Sequence, residues 1–227
     1  MIPTDEDSFG SVRMPGGKAE RKREAPKTIL PAARPAVPDK PAAAAPPTAA
    51  LTAGEACQRF DLESDEAKQL LGNGKMPAGE FCDLLAGKKQ HLDAIRLLAH
   101  VLPKAAAVRW ACQCIRHVGL GDTPPAAATA LQAAEAWAAK PTDEHRRAAF
   151  PAAQAAGFAH PAASAAMAAF WSGGSLAPPE LPVVPPGEFL TARAAAAAIL
   201  LAAVMQQPEK AAEKQRLFLD LGKSVRN

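Results

Sequence analysis

The sequence predicts an all-α fold, a compact array of about nine or ten helices behind a proline- and alanine-rich N-terminal tail. Three observations predict it. The 227 residues include 55 alanines, and alanine forms helices with the least loss of side-chain entropy. Aromatic residues make up only 5% of the chain and tyrosine is absent, so residues that favour strands are scarce. Prolines and glycines recur where successive helices would begin and end.

The tail comprises residues 1–52, where the sequence predicts disorder. Apolar periodicity is missing there, prolines are frequent, and a mixed-charge run occupies Lys18–Glu24. Proline removes a backbone donor and biases the preceding residue away from helix, so we expect an extended, unstructured segment. Residues 53–227 are then expected to form a single all-helical domain.

Four helices are predicted in the first half of this domain. Thr52 and Glu55 fit a capping box, in which the N-cap hydroxyl and the N3 carboxylate each accept a backbone hydrogen bond. In the fourth helix the apolar residues recur on one face. The four predicted segments begin near Ala53, at Ser64, at Pro77 and at Gln90.

The second half of the domain is divided by Pro at helix starts and Gly at helix ends. Pro103 fits the first turn of a helix that stops at Gly119, and Gly157 closes a later one. A final helix is expected to end at Gly222. The predicted segments are 104–118, 125–140, 142–156, 161 to about 172, 188–206 and 208 to about 221.

Residues 173–187, rich in Gly and Pro, interrupt this pattern as a long loop. Long structureless loops in compact domains are frequently functional. One interpretation makes the two aromatics before the loop core anchors and the loop a surface strap, while the other makes the loop a presenter of apolar side chains to a protein partner. The candidate partner-binding residues are Phe170, Trp171, Leu176, Leu181, Val183 and Val184.

The densest group of reactive residues is Cys112, Cys114 and His117. On a helix the two cysteines point about 200° apart, so they cannot chelate one metal together. Cys114 and His117 share a face and form the one candidate metal pair, although the typical zinc-ligand spacings are missing. We predict no catalytic residue, metal or cofactor. The alternative is a metal- or thiol-dependent enzyme that uses these three residues.

Charge and hydropathy limit the classes of partner that we expect. The net charge of +3 is small, and basic residues alternate with acidic ones, which disfavours a nucleic-acid-binding accessory protein, the third alternative. The longest apolar run, Ala194–Met205, is short of the roughly 20 residues that cross a bilayer, so we expect a buried helix and no membrane partner. The N-terminal residues lack a secretory pattern, which predicts a cytoplasmic protein with reduced thiols.

Several sequence blocks resemble an uncharacterised bacterial all-helical family over roughly residues 53–222. The blocks are Leu97–Pro103, Val108–Cys112, Ala133–Trp137, Arg146–Phe150, Ala155–Phe158 and Phe170–Pro179, the last reading Phe-Trp-Ser-Gly-Gly-Ser-Leu-Ala-Pro-Pro.

The resembled family is associated with type VI secretion accessory proteins, and the resemblance carries over no catalytic residues. It implies an adaptor, chaperone or accessory role, with a secreted effector or a secretion-machine component as partner. We therefore predict a non-enzymatic protein-interaction module.

Overall fold

The computed structural model describes residues 51–121 and 124–226. Within these ranges the chain forms ten α-helices and one 3₁₀ turn, with no strand, which confirms the predicted all-α fold class. Residues 1–50 of the predicted tail lie outside the described residues.

The helices begin and end close to the predicted Pro and Gly positions. Their bounds are α1 Ala53–Cys57, α2 Asp65–Leu71, α3 Ala78–Gly87, α4 His91–Val101, α5 Lys104–Val118, α6 Pro125–Ala139, α7 Asp143–Ala156, α8 Pro161–Phe170, α9 Leu190–Val204, the 3₁₀ turn Pro208–Lys210 and α10 Ala211–Arg226.

Side-chain oxygens fix the chain at the starts of the first two helices in different ways. The predicted capping box of Thr52 and Glu55 is present at the start of α1. Just before α2, the backbone N–H groups of Glu63 and Ser64 donate to the two carboxylate oxygens of Asp93, which is buried in α4. A buried carboxylate is acceptable here because backbone donors satisfy it, and it ties α2 to α4.

Helices α5, α8 and α9 form the centre of the array. α8 packs against α9, α7 and α6, while α9 also packs against α4, α5 and α10. Nine of the ten residues of α8 are buried, and six of those nine are alanines. Small side chains let neighbouring helices approach closely, and a helix that is apolar on all sides belongs in the interior.

No single helix among the described residues is long and apolar enough to cross a membrane. α9 and the segment Pro208–Val225 meet the length and composition criteria only together, and the chain bends by 119° between them.

The predicted helix end at Gly222 is wrong, because α10 continues through this residue to Arg226. A Cβ atom at position 222 would lie 2.6 Å from both Leu98 Cδ2 and Trp110 Cε2. Trp110 is fully buried, and its Nε1–H donates to the carbonyl oxygen of Phe218 at 2.6 Å. Glycine therefore stands at 222 to let α10 pack closely on α4 and α5, and does not terminate the helix.

Candidate functional site

The loop of residues 173–187 is held against α7 by a buried arginine. The side chain of Arg146 is only 4% exposed. Its Nε donates to Asp143 Oδ1 at 2.7 Å, its Nη1 to the Phe170 carbonyl at 3.0 Å, and its Nη2 to the Ser175 carbonyl at 3.0 Å. One guanidinium thus joins the end of α8 and the start of the loop to α7.

Arg147 extends this contact along the loop. Its Nη1 donates to the Ala177 carbonyl at 3.1 Å, and its Nε donates to Asp143 Oδ2 at 2.7 Å. Burial disfavours the charged Asp143 carboxylate, but the hydrogen bonds from Arg147 and Arg146 outweigh that effect and lower its pKa. Asp143, Arg146 and Arg147, which we call the arginine clamp, come together because i,i+3 and i,i+4 residues share a helix face.

Hydrogen bonds inside the loop close it at its base. The Leu176 N–H donates to the Val184 carbonyl at 2.8 Å. The Ser175 hydroxyl oxygen accepts from the N–H groups of Ala177 and Val184, both at 3.1 Å. Residues 177–184, which we call the loop tip, therefore project from a closed and anchored base.

Gly174 makes the anchored base possible. Its φ of +63° lies in the left-handed region, and a Cβ atom there would lie 3.0 Å from Arg146 Nε. A separate hydrogen bond fixes the chain just before Gly174, since Lys104 Nζ donates to the Ser172 carbonyl at 2.8 Å. Any side chain at 174 would displace the guanidinium that holds the loop.

Three of the predicted partner-binding residues pack on the helical core. Phe170 is buried, and its ring centroid lies 4.8 Å from that of Phe150. Trp171 and Leu176 are half-buried against the same core. Phe170 and Trp171 therefore lie where the core-anchor interpretation expects them, and Leu176, which the presenting interpretation included, packs beside them.

The other three predicted residues are exposed on the loop tip. Leu181 is 57% exposed, Val183 73% and Val184 49%. The six residues lie in one segment of the sequence. The structure divides them into an inner group that packs on the core and an outer group that forms an exposed apolar surface. The outer three are the most exposed of the six, so the presenting interpretation fits them best.

Sequence reasoning missed the arginine clamp. The sequence pattern alone gives Asp143 no site role, and the resemblance includes Arg146 and Arg147 in one of its blocks without a role. An available signal was the Asp-x-x-Arg-Arg spacing on a helix, together with a nearby loop whose carbonyls would need donors.

The predicted cysteine–histidine group is separated by the fold. Cys114 is fully buried in the core, whereas His117 is exposed at the end of α5. Within the described ranges no group of three or more His, Cys, Asp and Glu side chains could hold a metal ion. Burial, helped by the Glu135 carboxylate, raises the pKa of Cys112 to about 12, and burial raises that of Cys114 well above its ordinary value.

These pKa shifts predict unreactive thiols in the folded protein. The thiolate is the nucleophile, so Cys112 and Cys114 should react with iodoacetamide at pH 8 much more slowly than in the unfolded chain. Because burial raises the pKa of Cys112 from about 9 to about 12, the free energy of unfolding falls as the pH rises through this range, and the raised pKa of Cys114 acts in the same direction. Peptide mapping after timed alkylation, with and without guanidinium chloride, measures this. Equal rates in the two conditions would contradict the prediction.

Cys112 and His117 instead share a concavity of about 630 Å³ formed by α5, α6 and α10. Arg116 and Glu135 bridge α5 and α6 across it through two hydrogen bonds of 2.8 Å, an Nε–Oε1 and an Nη2–Oε2 contact. The lining residues are Arg109, Cys112, Gln113, Arg116, His117, Glu135, Ala138, Ala139, Leu221 and Ser224.

The sequence model of a family of unknown function, DUF6931, matches residues 81–226. The chain belongs to the DUF6931 family. The DUF6931 match runs from within α3 to the end of α10, so the arginine clamp, the loop and the concavity all lie inside the family region. The predicted resemblance to an uncharacterised family is confirmed over residues 81–226. No curated protein and no solved structure matches the chain.

Proposed function

We propose that this DUF6931 protein is a non-enzymatic protein-interaction module that offers its loop tip to a protein partner. The observation that carries the proposal is the exposure of Leu181, Val183 and Val184 on a loop whose base is fixed by the buried Arg146. Exposed apolar side chains that are grouped together commonly mark interaction sites. A fixed base also reduces the conformational entropy that the loop would lose on binding.

The chemistry of the loop tip defines the kind of partner. Residues 178–184 of the loop tip and the following Pro185 are all exposed, and they contain the sequence Pro182-Val-Val-Pro185. Proline-rich segments of this type dock as extended chains into apolar, aromatic-lined grooves. Glu180 is the single charged residue in the loop of residues 173–187, so we expect the affinity to depend little on salt.

We place the module in the bacterial cytoplasm as an adaptor, chaperone or accessory protein of type VI secretion. Its partner would then be a secreted effector or a component of the secretion machine. The support for this finer assignment is the sequence resemblance through the Phe170–Pro179 block. Secretion genes beside the gene for this chain would strengthen it, and their absence across DUF6931 members would weigh against it.

Removing the apolar tip should abolish partner recovery. In a pull-down from the host lysate, we expect the Leu181→Asp/Val183→Asp/Val184→Asp variant to retain less than about a tenth of the partner bound by the wild type, since interface hot spots contribute about 2 kcal/mol or more each. Quantitative mass spectrometry of the bound fraction measures this.

A matched control places the same change elsewhere on the surface. Phe158 and Leu217 are also exposed apolar residues, at 59% and 37%. The Phe158→Asp/Leu217→Asp variant should recover the partner as the wild type does. Equal recovery by the loop variant and the wild type would remove the loop tip from the proposed function.

A further inference from the structure

The concavity between α5, α6 and α10 shares no residue with the loop or the arginine clamp. Its volume of about 630 Å³ lies in the range of small-molecule sites in proteins. Its floor includes the buried side chains of Cys112 and Ala138 and the half-buried Leu221. Such an apolar floor can contact one face of a small organic molecule.

A row of hydrogen-bonding side chains follows one side of this floor. Arg109, Gln113 and His117 are spaced four residues apart on α5, so they line one face of the helix over about 12 Å. Arg109 Nη2 donates to the Ala138 carbonyl at 3.2 Å. The side chains of Gln113 and His117 make no hydrogen bond within the part of the chain that the structure describes. The row therefore has donors available to a ligand.

The charges around the concavity leave one cation unneutralised. Arg116 is paired with Glu135. Arg109 has no carboxylate within ion-pair distance among residues 51–121 and 124–226, although it is exposed at the edge of the concavity. The lining therefore carries one positive charge that no carboxylate balances, that of the Arg109 guanidinium.

The helix ends at this surface disfavour a multiply charged ligand. Ala138 and Ala139 are the last residues of α6, and Ser224 lies in the last turn of α10. Helix C-termini carry partial negative charge, which opposes an anion in proportion to its charge, so a phosphate or a nucleic acid is disfavoured more than a monoanion whose single charge meets Arg109. A ligand with one acidic group and an apolar body matches both the single arginine and the floor.

We propose that the concavity is a binding site for a small organic monoanion, with its acidic group at Arg109 and its apolar part over Cys112, Ala138 and Leu221. Gln113 and His117 supply further polar contacts along the ligand. This site is independent of the loop tip, and the proposal does not depend on the proposed function.

The test uses the fluorescent monoanion 8-anilinonaphthalene-1-sulfonate as the probe. The full chain should bind it at a single saturable site, and octanoate should displace it. Octanol, which has the same chain without the carboxylate, should displace it at least about tenfold less effectively, because a hydrogen bond to a charged group contributes a difference of this order.

Variants locate the site. Arg109→Gln should weaken probe binding about tenfold, while Arg216→Gln, which removes an exposed arginine on α10 that does not line the concavity, should leave it unchanged. Leu221→Glu, which places a carboxylate in the floor, should weaken binding further. Circular dichroism checks the fold of each variant, and if Arg109→Gln fails to fold, Leu221→Glu decides the result.

Three results would overturn the proposal. They are the lack of saturable probe binding by the wild type, displacement by octanol as effective as by octanoate, and unchanged affinity in folded Arg109→Gln and Leu221→Glu variants. Equal partner recovery by the wild type and the Leu181, Val183 and Val184 variant would not affect this outcome, so the two proposals fail separately.

Discussion

Replacement of Arg146 by alanine is expected to lower the free energy of unfolding by about 3 kcal/mol, the largest effect of any single change at the loop. The change leaves the Phe170 carbonyl, at the buried end of α8, without the donor that Arg146 supplies. It also removes the donor to the Ser175 carbonyl at the loop base. The loss of both hydrogen bonds to a charged donor, together with the emptied space beside the Phe170 ring, accounts for the size of the effect.

Urea denaturation measures the loss of stability, and proteolysis measures the release of the loop. Endoproteinase Glu-C cleaves after the exposed Glu180, so Arg146→Ala should be cut there faster than the wild type. Arg147→Ala is the matched control, because this side chain is 30% exposed and donates to one loop carbonyl. We expect it to cost about 1 kcal/mol. Wild-type stability and a wild-type cleavage rate in Arg146→Ala would show that Arg146 does not hold the loop.

Replacement of Gly222 by alanine is expected to cost about 2 kcal/mol of stability. The new Cβ would lie 2.6 Å from atoms of Leu98 and Trp110, and the Trp110 ring is rigid and fully buried. α10 must then shift outward, which weakens the Trp110 hydrogen bond to Phe218. Alanine has a higher helix propensity than glycine by about 1 kcal/mol, so the clash must exceed that gain.

Gly87 provides the matched control for Gly222. It is the last residue of α3, and a Cβ atom there would have nothing within 4 Å. Gly87→Ala should therefore leave stability unchanged or raise it by up to about 1 kcal/mol. Guanidinium chloride denaturation of both variants separates packing from propensity. A stabilised Gly222→Ala variant would mean that the contact with α4 and α5 is not close.

The helix starts could be predicted because the signals that set them are local. The capping box at Thr52 and the proline at 103 act within one turn of the chain, where sequence neighbours are also neighbours in space. Gly222 shows where this reasoning ends. Its role depends on Leu98 and Trp110, which lie more than 100 residues earlier in the chain, and no local pattern distinguishes a packing glycine from a terminating one.

The loop could be predicted from composition, whereas its attachment could not. Runs of Pro and Gly exclude regular structure, and apolar residues within such a run are exposed unless another element covers them. The contact of Arg146 with Ser175 spans 29 residues and exists only once α7 and α8 have packed. The concavity is a similar case. The sequence indicates Cys112 and His117 as members of one group, but Arg109 and Gln113 line a concavity with them only because α6 and α10 pack beside α5.

The hydrogen bond from Trp110 to Phe218 also has a consequence for the order in which the protein folds. Its two partners are 108 residues apart, and α10 follows every other described helix in the chain. During synthesis the apolar surfaces of α4 and α5 around Trp110 therefore remain exposed to solvent until α10 leaves the ribosome. Contacts of such long sequence separation also slow folding, because the chain loses entropy when its distant parts are brought together, before these contacts stabilise the fold. Helix α10 thus completes the core late, and a nascent chain without it exposes an aggregation-prone apolar surface.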